Sequence, residues 1–116
     1  MLPDRILLHL PDGRRVPVDP AEIYLLETAE GDSSVRLRSR RQLRDVRRLG
    51  DLVELLATHG FVRSHRSYAV NLRRVREIRP VEGGGWEVRM DPPVNRVLPV
   101  SRREAVDLFA AYGEAG

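Results

Sequence analysis

The sequence predicts a mainly β fold with two small helices, and three observations carry that expectation. Short apolar runs recur every eight to twelve residues. Turn-forming clusters separate them: Pro11-Asp12-Gly13, Ala29-Glu30-Gly31-Asp32, Gly83-Gly84-Gly85 and Asp91-Pro92-Pro93. Only two stretches, 49–59 and 105–112, read as helices. With 116 residues, the chain has room for one domain, residues 1–116, burying roughly two-thirds of the surface its unfolded form exposes.

The elements follow in order. Arg5-Ile6-Leu7-Leu8-His9-Leu10 and Arg15-Val16-Pro17-Val18 flank the Pro11-Asp12-Gly13 turn, which signals a hairpin. Ile23-Tyr24-Leu25-Leu26-Glu27 reads as a buried strand. The polar stretch from Ala29 to Ser34 contains Gly31 and is expected to be a loop. Val35-Arg36-Leu37-Arg38 alternates, with Val35 and Leu37 on one face and the arginines on the other. Leu43, Val46, Leu49, Val53 and Leu56 recur at helical spacing. Gly50, together with the change from arginine-rich to acidic and apolar composition, places a break near Arg48. A strand therefore precedes it, and a helix of about three turns runs from Leu49 to His59, with Gly60 where a C-cap glycine belongs. Beyond lie Phe61-Val62, a polar cluster, Val75-Arg76-Glu77-Ile78-Arg79 ending at Pro80, and a glycine turn. Trp86 to Met90, the Asp91-Pro92-Pro93 turn, Arg96 to Val100 and a short helix from Ala105 to Tyr112 complete the chain.

Composition removes several classes of function. There is no cysteine, which excludes disulfides, thiolate zinc sites and cysteine nucleophiles together and fits a reducing cytoplasm. No charged leader followed by an apolar run opens the chain, and no apolar segment approaches membrane-spanning length, so a soluble cytoplasmic protein is expected, with no membrane partner. His9, His59 and His65 lack the paired spacing of a metal site, and no acid stands near to orient a His65–Ser67 pair as base and nucleophile. No catalytic residue, metal ligand or cofactor is expected. All twenty basic residues are arginines, and residues 33–79 hold thirteen of them against four acids. The rest of the chain is net acidic. A chain polarised in this way presents a basic face to polyanions although its net charge is only +3.

The densest polar feature is Phe61-Val62-Arg63-Ser64-His65-Arg66-Ser67-Tyr68-Ala69-Val70-Asn71-Leu72. Its apolar ends anchor in the core while the residues between project as a loop. With Ile23-Tyr24-Leu25-Leu26-Glu27, the helix leucines Leu49, Leu52 and Leu56, Val75-Arg76-Glu77-Ile78 and Pro99-Val100-Ser101-Arg102-Arg103, this motif resembles the LytTR DNA-binding domain, the output module of many bacterial response regulators. The resemblance covers nearly the whole chain. It implies an elongated set of short antiparallel sheets, double-stranded DNA as partner, and base contacts from three loops that reach successive major grooves. Matched residue by residue, those loops carry Ser33, Arg66 and Arg103 as base readers, with Ser34, Arg36, His65, Ser67, Ser101 and Arg102 on phosphate or in positioning roles. Arginine's fork of donors suits guanine N7 and O6, or one phosphate. Ser33 is shorter than the residue some relatives carry, and the Arg66 position is asparagine in others, so no operator sequence transfers. The resemblance further implies direct-repeat promoter sites, a second protomer on DNA and an upstream receiver or sensor domain outside this chain.

Competing readings attach to the same residues. His65 is either a phosphate contact or a half-buried histidine that orients the loop. Asn71 reads as a turn or capping residue, Tyr68 and Trp86 as core. Arg40, Arg41, Arg44, Arg47 and Arg48 form either a solvated face or a set near the minor-groove backbone. A small basic β-domain that binds RNA or single strands would also be arginine-rich, but it would need exposed aromatics for base stacking. A LytTR-derived protein-interaction module is a third possibility, which loss of Arg66 and Arg103 would have suggested.

Overall fold

A computed structural model describes residues 4–39 and 41–114. Ten strands and two helices run in the order β1 (Ile6–His9), β2 (Arg15–Val18), β3 (Ile23–Ala29), β4 (Asp32–Leu37), β5 (Gln42–Asp45), α1 (Leu49–Leu56), β6 (Phe61–His65), β7 (Tyr68–Asn71), β8 (Val75–Pro80), β9 (Trp86–Met90), β10 (Val97–Val100) and α2 (Arg102–Ala111). They form three antiparallel sheets: the β1–β2 hairpin, a central sheet ordered β5-β4-β3-β7-β6, and a sheet ordered β10-β9-β8. The molecule is elongated, 43 × 30 × 25 Å, as the family resemblance implies.

The central sheet divides two cores. On one face Leu26, Val35, Leu37 and Phe61 pack against Leu49, Leu52 and Leu56 of α1 and Leu8, Leu10 and Val18 of the first hairpin. On the other, Tyr24, Leu25 and Val70 pack against Val88, Met90, Leu98 and Val100 of the third sheet and Ala105 and Leu108 of α2. This double coverage explains why β3 reads as an unbroken apolar run from Ile23 to Leu26, every one of them buried. Leu52, Leu56 and Leu108 are each 0% exposed, so truncating any one of them to alanine costs about 2–5 kcal/mol.

Several expectations hold in detail. α1 ends near Leu56, a 3-10 turn follows at Ala57–His59, and Gly60 adopts φ +85°, the left-handed geometry that favours glycine at a helix end. Asn71 caps the 3-10 turn Leu72–Arg74 by accepting from the Arg73 N–H at 3.0 Å, and donates to the Ile23 carbonyl at 2.9 Å.

Three local expectations are corrected. The segment from Ala29 to Ser34 is not a loop: Ala29 pairs with Asp32 across a two-residue turn, with Glu30 at φ 51° and Gly31 at φ 91°. Positive φ at both central positions matches the twist of a tight hairpin, so Ser33 and Ser34 lie within β4. The polar cluster is a hairpin too, with only Arg66 and Ser67 between β6 and β7. The C-terminal helix starts at Arg102, three residues before the expected Ala105, because Ser101 caps it: its Oγ accepts from the Glu104 N–H at 3.1 Å.

Candidate nucleic-acid interface

Two arginine-bearing segments are stitched together at one end of the central sheet. The Ser101 N–H donates to the Ser64 carbonyl at 2.9 Å, which fixes the start of α2 against β6. The Thr28 N–H donates to the Ser67 carbonyl at 3.0 Å and ties the β6–β7 turn to β3. Arg66 is therefore presented on the turn, and Arg102 and Arg103 on the first turn of α2 beside it. All three are exposed.

The turn has internal support. His65 Nδ1 accepts from the Ser67 N–H at 3.1 Å, and the half-buried ring lies 5.8 Å from that of Tyr68. His65 thus orients the turn through Nδ1, a bond that leaves Nε2 available to a phosphate. Arg63 donates from Nη2 to the Arg66 carbonyl at 2.9 Å. Between them, Ser64 is the extra residue where the register shifts from Arg63↔Ala69 to His65↔Tyr68.

A polar band leads away from this turn across one face of the sheet. The cross-strand pairs Arg44↔Ser34, Ser34↔Glu27, Glu27↔Tyr68 and Tyr68↔His65 put these five residues in one row, since directly paired residues share a face. Arg96 reaches the row from outside, its Nη2 3.0 Å from Glu27 Oε2. Ser34 and His65 thus occupy one continuous strip, and Arg36 lies one step inward, half-buried and opposite Leu25 and Gln42.

Ser33 does not join them. It is 0% exposed, and its hydroxyl donates to the Arg47 carbonyl at 2.8 Å on the opposite face of the sheet. Its expected role as a base reader is corrected on that ground, because a side chain closed inside the fold presents nothing to a groove. The alternation of Val35 and Leu37, extended back by one step, already places Ser33 inward.

The arginines differ in their state. Arg14, Arg44, Arg47, Arg79 and Arg96 stand in ion pairs with carboxylates. Among the described residues, Arg48, Arg63, Arg66, Arg102 and Arg103 stand in none. Arg102 instead donates to the Gly83 carbonyl at 3.2 Å. Of the arginine run before α1, Arg44 and Arg47 are therefore internally committed, Arg41 and Arg48 are exposed, and Arg40 lies outside the described residues. The deepest commitment is Asp45, 0% exposed. Burial by itself raises its pKa, but hydrogen bonds from the Arg47 side chain and from the His9 and Arg47 N–H groups outweigh that and hold it below its ordinary value.

Most of the aromatics are engaged within the fold; Tyr112 is 47% exposed, with its hydroxyl donating to the Leu72 carbonyl. Trp86 meets Phe109 edge-on at 4.9 Å, and Tyr24 is 1% exposed. Among the described residues there is no cluster of three or more His, Cys, Asp or Glu able to hold a metal ion, and no helix is long and apolar enough to cross a membrane.

An antiparallel β domain that gathers unpaired arginines on a braced hairpin turn and an adjoining helix start is built to face a polyanion. Residues 13–113 match the family model described as LytTr DNA-binding domain, and the chain belongs to that family of bacterial transcription-regulatory domains. It is 29% identical over 108 residues to the Sensory transduction protein LytT of Oceanobacillus iheyensis, an alignment covering 93% of this chain and 44% of that protein. The chain thus spans less than half the length of this curated relative. Its fold is shared with the LytTr DNA-binding domain of a putative methyl-accepting/DNA response regulator from Bacillus cereus, at a TM-score of 0.78 and 23% identity, over 96% of this chain and 98% of that one.

Proposed function

We propose that this domain binds double-stranded DNA sequence-specifically and serves as the output module of a bacterial response regulator in the cytoplasm. Arg66 and Arg103 read bases in the major groove. Ser34, Arg36, His65, Ser67, Ser101 and Arg102 contact phosphate or set register. The observation that carries this reading is the stitched pair of segments, in which exposed, unpaired arginines stand on a turn and a helix start fixed to each other by the Ser101–Ser64 hydrogen bond. With Ser33 closed inside the sheet, two of the three reading positions remain, so each protomer specifies fewer bases than a three-loop reader. Two protomers on direct repeats, with bending of the duplex, would restore operator length. The input signal arrives through a receiver or partner outside this chain, and the domain itself, spanning residues 1–116, performs no catalysis.

Duplex is favoured over single strands because no group of exposed aromatics forms a stacking platform, Tyr112 being the one largely exposed ring among the described residues. The test is selection from a random duplex library at near-physiological salt, followed by competition with single-stranded DNA of the enriched sequence. Enrichment of a short motif whose binding the single strand does not compete supports the proposal. An unenriched pool, or competition at equal concentration, overturns it.

A further inference from the structure

We infer that Arg63 is a positioning residue for Arg66 and sets the sequence selectivity of the domain without itself touching DNA. The inference rests on the DNA-binding reading above. Arg63 pairs with Ala69 on the α1 side of the sheet, and its guanidinium runs past the first turn of α1. A side chain at Gly50 would begin 3.7 Å from its Nη1. From there Nη2 returns to the Arg66 carbonyl at 2.9 Å.

The chemistry of this arrangement is costly for stability alone. Arg63 is half-buried, and its Nε is buried with no hydrogen-bond partner. Asp32 and Asp51 line the same hollow, yet neither pairs with it. A partly desolvated cation with an unsatisfied donor and no direct ion pair weakens a fold. What Arg63 supplies is a charged donor on the backbone of the residue whose side chain points outward, at a bulge where β6 has lost regular pairing. Without that brace, the two-residue turn is held by the Ser67 contacts to His65 and Thr28. The Ser67 N–H belongs to the same peptide plane as the Arg66 carbonyl, so His65 Nδ1 holds that plane from one side and Arg63 is the second anchor, the one on its carbonyl oxygen. A reading arginine must hold its fork in the plane of a base edge, so freedom at its carbonyl blurs the reading while leaving charge attraction intact.

The experiment measures binding of the selected duplex and of a random duplex of equal length across a salt series, for wild type, Arg63→Met, Arg63→Lys, Arg66→Ala and Arg63→Met with Arg66→Ala. Unfolding midpoints confirm that each variant is folded. Methionine keeps the apolar stem; lysine keeps the charge but has no fork to reach the carbonyl along this path. The expected result is a fall of roughly three- to tenfold in the selective-to-random ratio for both Arg63 variants, the range one hydrogen bond supports. Random-duplex affinity and salt slope stay unchanged, and Arg63→Met has no further effect once Arg66 is alanine. Equal loss on both duplexes with a salt slope flatter by about 0.9 would make Arg63 a direct phosphate contact and overturn the assignment. So would an additive double variant, or an unaltered ratio in Arg63→Met. If wild type itself fails to discriminate the two duplexes, the DNA-reading proposal falls and takes this one with it.

Discussion

Replacing Asp45 by alanine removes the acceptor for four hydrogen bonds: the His9 N–H at 2.8 Å, the Arg47 N–H at 2.9 Å, and Arg47 Nε and Nη2 at 3.0 and 2.8 Å. These contacts clip the first hairpin to the end of β5, and Arg47 Nη2 extends the clip to the Leu7 carbonyl at 2.7 Å. Breaking a buried pair from one side costs about 3–5 kcal/mol, because the remaining charge is stranded. Here the Arg47 side chain is 25% exposed and can turn toward water, which places the expected loss near the low end, about 3 kcal/mol. In a chain of this size that lowers the melting midpoint by roughly 10 °C. The assay is urea unfolding followed by circular dichroism, with the denaturant slope unchanged. Adding Arg47→Met to Asp45→Ala removes the stranded cation and should recover part of the loss. A loss below about 1 kcal/mol would place the pair with ordinary surface ion pairs and refute the reasoning. The acid limb follows from the same group. Its folded pKa lies below its ordinary value of 3.8, so its contribution is fully present above that value and disappears as pH falls through the lower, folded one. Wild type should lose stability below about pH 4 more steeply than Asp45→Asn, whose amide does not titrate.

Gly60→Ala forces a Cβ into φ +85° and should cost about 1–2 kcal/mol in urea unfolding. Asn71→Ala, at a site 1% exposed, leaves the Ile23 carbonyl and the Arg73 N–H without partners and should cost about 2–3 kcal/mol. Its ratio of specific to random DNA binding should not change, and a changed ratio would show that Asn71 acts at the interface. Arg102→Ala should weaken binding to all sequences alike and flatten the log-log salt slope by about 0.9.

Much of the fold was legible because local chemistry and tertiary packing agree. Pro11-Asp12-Gly13 marks a real hairpin, the unbroken run from Ile23 to Leu26 is a strand covered on both faces, and Gly60 closes the helical segment. The misreadings share one cause, polarity taken for irregularity. Serine, aspartate and glycine between Ala29 and Ser34 suggested a loop, yet a turn with Glu30 and Gly31 at positive φ needs only two residues. The Ser101-Arg102-Arg103-Glu104 pattern is a capping signature and would have started α2 correctly. Of the candidate site, Arg66, Arg102 and Arg103 were visible as residues, but their adjacency depends on a backbone bond between Ser64 and Ser101, which no local pattern encodes. The Asp45 clip joins residues 36 positions apart and was equally hidden. Arg63 was read only as part of a polar crowd; its bond to the Arg66 carbonyl depends on the β6 bulge.

The central claim is that Arg66 and Arg103 read bases while their neighbours hold the backbone. It is tested most directly by measuring wild type, Arg66→Ala and Arg103→Ala against every single-base-pair variant of the selected duplex. Each alanine variant should lose about 1–3 kcal/mol on the parent site and become indifferent at one base-pair position, a different one for each arginine. Uniform losses across all variants, with discrimination preserved at every position, would contradict it and reduce both arginines to phosphate contacts.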